Sequence, residues 1–110
     1  MPVHGINYSI FIMLKKGKVQ TNTQQNIQLQ KIFIEKGFSF MNGRKEPHIR
    51  ANLHFFYFNY ENKEIALGSK NDSYNNGNIF NLKFYTGLEY FKKHKNKEYK
   101  FEELIKLLCN

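Results

Sequence analysis

Arg44, Lys45, His48 and Arg50 crowd into one short stretch, and Arg44 and Arg50 are the only arginines in the chain. A guanidinium grips phosphate or carboxylate through a planar two-pronged contact that lysine cannot make. The stretch Met41–Ile49 also carries Asn42-Gly43 and Pro47, residues that turn a backbone rather than extend it. A second polar stretch, Lys70–Asn78, contains Tyr74, whose ring can cover a base if the two loops converge. The chemistry to expect of Arg44, Lys45, His48, Arg50 and Tyr74 is the holding of an anionic, partly aromatic ligand.

Bond-making chemistry finds less support. The four histidines lie at positions 4, 48, 54 and 94, and Cys109 is the one cysteine. No pair has the spacing of a metal-binding helix or knuckle. Neither a P-loop nor a dinucleotide-binding glycine pattern occurs. Asp72 is the only aspartate, and no two carboxylates are placed to converge as an acid–base pair. The expectation is a protein that is not an enzyme and uses no cofactor or metal. A metal-free ribonuclease built from His48, His54, Arg44 and Arg50 is the catalytic alternative.

The net charge of +8, from 17 Lys plus Arg against 9 Asp plus Glu, suits an anionic partner such as a nucleotide or nucleic acid. A/T-biased coding would also enrich Lys and Asn together. A lone cysteine cannot form an internal disulfide, which fits a reducing cytoplasm. The apolar run Ser9–Leu14 is too short to span a bilayer, and neither a signal peptide nor a membrane anchor is expected.

These residues must be positioned by one domain spanning 1–110. Tyr8–Leu14 is β-branched and aromatic and predicts a central strand, with Lys15–Lys18 as its turn or end. Thr21-Asn-Thr-Gln24 fits a capping box and starts a helix that Gly37 ends. On that helix Leu29, Ile32 and Phe33 share one side, with Ile27 and Ile34 nearly opposite. Leu53–Tyr60 alternates, placing His54, Phe56, Phe58 and Tyr60 on one face and Leu53, Phe55 and Tyr57 on the other. Glu61-Asn62 turns into a second strand, Lys63–Gly68. Lys70–Asn78 reads as an irregular loop, Phe80–Tyr85 as a short strand and Leu88–His94 as a helical turn. Phe101, Leu104, Ile105 and Leu108 make an amphipathic C-terminal helix. The order β-α-β-β-β-β-α predicts an α+β fold, a small mostly antiparallel sheet packed on one main helix with a short C-terminal helix. The doubly aromatic strand and two-faced helix leave apolar surface that a homo-oligomer would cover.

In this order the segments resemble a broad class of small, mostly uncharacterised phage and mobile-element α+β proteins. The resemblance rests on Thr23, Leu29, Gln30 and Gly37, the aromatics Phe38 and Phe40, and then Tyr90, Phe91, His94, Lys97, Glu98, Glu102, Glu103 and Leu104. The chain departs from that pattern in the length of Asn71–Thr86 and in the basic loop Met41–Arg50. The resemblance implies a non-enzymatic accessory protein acting in a host cytoplasm. It would counter host defence by binding a nucleotide immune signal or a CRISPR nuclease complex. A general nucleic-acid-binding protein and an inhibitor that adds an edge strand to a host protein are the other readings.

Overall fold

A computed structural model describes residues 14–109. Its elements are β1 (Lys16–Gln20), α1 (Thr23–Glu35), β2 (Ser39–Phe40), β3 (Phe55–Asn59), β4 (Glu64–Gly68), β5 (Ser73–Asn75), β6 (Phe84–Thr86), α2 (Gly87–Lys93), β7 (Lys97–Tyr99) and α3 (Phe101–Leu108). The fold is α+β, with a five-stranded sheet in the order β2-β4-β3-β1-β7 and a separate β5-β6 ribbon. β3 runs antiparallel to both β1 and β4, whereas the outer pairs β1–β7 and β2–β4 are parallel.

The alternation along β3 divides the core as its two-residue period requires. Phe56 and Phe58 face α1 and α3, joining Val19, Leu29, Phe33, Ile65, Leu104 and Leu108. Phe55 and Tyr57 face the other way and pack with Phe91 of α2. The Phe55 and Phe91 rings stack with centroids 4.7 Å apart. The main helix ends as expected: Gly37 adopts φ of +96°, and the Phe38 N–H reaches back to the Phe33 carbonyl at 3.0 Å.

Several elements differ from expectation. The expected strand Tyr8–Leu14 lies outside the described residues except for Leu14, whose backbone is helical. The segment expected to end that strand is instead β1, in the interior of the sheet. Lys18 on β1 is buried because its ammonium donates to the carbonyls of Phe91 and, at 3.0 Å, His94, capping the end of α2. The helix cap is displaced by one residue. Asn22 and Gln25 form the box, while the Thr21 hydroxyl donates to the Leu53 carbonyl at 3.2 Å. Ile27 and Ile34 are only half-buried, and Asn26 and Gln30 occupy the core side of α1 with Leu29 and Phe33.

The stretch after Lys70 is a ribbon, not an irregular loop, and β6 is shorter than the strand expected there. Asparagines hold its turn: Asn75, Asn76 and Asn78 side chains accept from the N–H groups of Gly77, Asn78 and Phe80 at 2.8, 3.0 and 2.9 Å. Ile79 and Phe80 at its tip are exposed. No helix among the described residues is long and apolar enough to cross a membrane.

Candidate functional site

The site begins where β2 stops. Ser39 and Phe40 pair with Glu64 and Ile65 of β4, and the chain then turns away through Gly43 at φ of +84°. The turn is fastened by the Phe40 N–H on the Arg44 carbonyl at 2.9 Å and the Arg44 N–H on the Asn42 side chain at 3.0 Å. β4 continues to Gly68 without β2 beside it. The space between them is a slot of about 600 Å³ walled by Phe40, Met41, Ile65, Ala66 and Leu67, with Asn42, His48 and Arg50 also lining it. That volume lies in the range of small-molecule sites.

The outer wall is held by a chain of buried amides. Gln30 accepts from the His48 N–H at 2.7 Å and donates to the His48 carbonyl at 3.1 Å. It also donates to Asn26 at 2.9 Å, and Asn26 in turn donates to the Phe55 carbonyl at 2.9 Å. The basic loop is thereby tied to α1 and, through it, to the central strand. The His48 ring stands edge-on to Phe40 with centroids 4.6 Å apart. Its pKa is lowered by burial first and then by the charges of Arg44 and Arg50.

Across β4 lies a tyrosine cluster. Tyr74 stacks on Tyr90 at 4.1 Å, and its hydroxyl donates to Asp72 at 3.2 Å. Burial and the Asp72 carboxylate push the Tyr74 pKa up to about 12, against a lowering by Arg50, whose charge therefore reaches both sides of the site. The Tyr57 hydroxyl is buried without a hydrogen-bond partner among the described residues, and burial raises its pKa. Tyr57, Leu67, Tyr74, Tyr90 and His94 surround a hollow of about 210 Å³. A second hollow of about 230 Å³ also reaches Tyr57 and His94. Both share Ala66 with the slot. Ala66, exposed on its strand, thus borders all three spaces.

The structure thus brings Arg44, His48 and Arg50 into one electrostatic group. Lys45 is exposed on the same loop. Tyr74 lies across β4, with one ring face already covered by Tyr90. Gln30, Ala66, Leu67 and Tyr57 also belong to the site, though none of them stands out as a site residue in the sequence. Gln30 left one signal: with Asn26 it lies four residues apart on the stripe that carries Leu29 and Phe33. Among the described residues no cluster of three or more His, Cys, Asp or Glu side chains could hold a metal ion.

The lowered pKa values of His48 and His94 predict a stability that depends on pH. His94 is lowered by burial and then by Lys18, and its Nδ1 accepts from the Asn96 N–H at 3.3 Å, which the protonated ring would not do. Both His48 and His94 have folded-state pKa values below the unfolded value. Between the two values the unfolded chain binds more protons, so stability is present above about pH 6.5 and declines as the pH falls below it. Thermal melts stepped from about pH 7.5 to about pH 5.5 should show a falling Tm. That slope should flatten in a variant carrying His48→Gln and His94→Gln. A wild-type Tm independent of pH across this window would contradict the assignment.

No family model matches the chain, and searches of curated proteins and of solved structures find no significant match.

Proposed function

We propose that the depression around Ala66 binds a nucleotide, and that the protein acts by occupancy rather than by turnover. The observation that carries this reading is the meeting, at one small exposed residue, of an apolar slot, the Arg50 cation and a buried, unpartnered Tyr57 hydroxyl. Apolar walls suit a base or sugar face, a guanidinium suits phosphate, and an orphan hydroxyl seeks a polar partner. In the setting that the phage resemblance implies, such a protein would hold a nucleotide signal away from a host defence receptor.

Calorimetric titration with a panel of mono-, di- and cyclic nucleotides tests it. Wild type should bind at least one saturably. Ala66→Trp, a bulky residue acceptable on an exposed strand position, should fill the depression and weaken binding roughly tenfold or more, about 1.4 kcal/mol, with the melting temperature little changed. Equal binding by wild type and Ala66→Trp would sink the proposal.

The lysine excess favours a second reading, general nucleic-acid binding. Its sign is affinity for any oligonucleotide that falls steeply with salt and ignores Ala66→Trp.

A further inference from the structure

We propose that Leu67 recognises the base of a purine nucleotide through its own backbone N–H and C=O, an inference that rests on the nucleotide reading of the slot. Two hydrogen bonds fix which way the β4 backbone faces. The Ser39 N–H donates to the Lys63 carbonyl at 2.9 Å, so that carbonyl points to β2 and the Glu64 N–H of the same trans peptide points the opposite way, to β3. The His54 N–H donates to the Gly68 carbonyl at 2.9 Å, so Gly68 faces the β3 side. Successive residues of a strand present their backbone groups to opposite edges. Glu64, Ala66 and Gly68 therefore serve the ladder to β3, and Ile65 and Leu67 face outward.

The outward edge is closed on either side of Leu67. Ile65 lies opposite Phe40, the last residue of β2. The Ser69 N–H is taken by the Asp72 carboxylate at 2.7 Å. Between them the Leu67 N–H and C=O point into the slot that Leu67 itself lines. An extended peptide adding as a strand uses a run of outward residues, and this edge offers one. A planar ring with an acceptor beside a donor needs only one such pair. The hydrogen-bonding edge of a purine has that pattern: ring N1 beside the amine in adenine, O6 beside N1–H in guanine. A purine seated there would lie between Phe40 and the aliphatic flank of β4, leaving Arg50 to meet the phosphate.

The test is an amide NMR titration with AMP and GMP and with their N1-methylated counterparts, run beside calorimetry. One parent nucleotide should shift the Leu67 amide resonance and slow its exchange with solvent. Its N1-methyl form should bind roughly tenfold more weakly. Leu67→Pro removes the outward N–H yet spares the β3 ladder, as proline is tolerated on a free strand edge. It should lose roughly tenfold or more in affinity, while Leu67→Val should stay within about twofold. Methylated nucleotides binding as well as their parents would overturn the proposal and leave slot binding intact. So would Leu67→Pro binding as Leu67→Val does. Wild type binding no nucleotide would overturn both readings. A Leu67 amide shifted by an extended apolar peptide, and not by purines, would replace base recognition with strand addition.

Discussion

Alanine at position 87 is expected to lower the melting temperature by roughly 10 °C or more, from an overpacking cost of about 3 kcal/mol. Gly87 opens α2 directly behind the Thr86 N-cap and is buried. A Cβ there would overlap the carbonyl oxygen of Ser69 and crowd the Lys70 Cα, both of them backbone atoms. Backbone cannot swing aside as a side-chain tip can. At Gly17, by contrast, the added atom would meet ring atoms of Phe58 and Tyr99. The Ser69 carbonyl that Gly87 touches accepts from the Asp72 N–H at 3.0 Å, and Asp72 holds both the Ser69 N–H and the Tyr74 hydroxyl. Displacing that turn should therefore loosen the β5-β6 ribbon and open the tyrosine side of the site. Thermal melts measure the first effect, and amide exchange across Ser73–Thr86 measures the second. A Gly87→Ala protein with wild-type stability would show that α2 does not pack on this turn.

What could be read in advance was what depends on near neighbours in the chain. The β3–β4 hairpin announces itself through alternation and a two-residue turn, and α3 through the spacing of its leucines. β1 has no such signature. Lys16-Gly-Lys-Val-Gln20 holds one apolar side chain, and it becomes an interior strand because β3 and β7 bond to it from distant positions. Lys18 reads as a solvated charge until the carbonyls of α2, some 73 residues away, are brought to it. The cap of α1 illustrates a near tie. Thr21 with Gln24 and Asn22 with Gln25 both fit the spacing, and Thr21 loses because its hydroxyl is drawn to the remote Leu53 carbonyl. The site follows the same division. Arg44, Lys45, His48 and Arg50 stand out as the basic side chains of one turn-rich loop. Ala66 and Leu67 matter only because β2 ends after two residues, a length that no local pattern sets.

The second large effect is expected at Gln30, which is fully buried. Leucine there nearly preserves the volume, so no cavity opens, yet three polar groups lose their partner. These are the His48 N–H, the His48 carbonyl and the Asn26 side-chain oxygen. A buried group left unsatisfied costs about 1–3 kcal/mol. His48 is only half-buried, so water can reach it once the loop lifts, and a net loss of roughly 3 kcal/mol is expected. The relief has a functional consequence, because lifting the loop removes the outer wall of the slot and the anchor that keeps Arg44 and Arg50 near His48. Gln30→Leu should therefore lower the melting temperature, speed exchange of the His48 amide and weaken ligand binding together. Gln30→Glu keeps the acceptor for the His48 N–H but loses the amide donor and buries a charge, so it should fare no better. If Gln30→Leu leaves the His48 amide as protected as in the wild type, the loop is held by something other than this glutamine. Its cations would then owe their arrangement to the turn at Asn42-Gly43 alone.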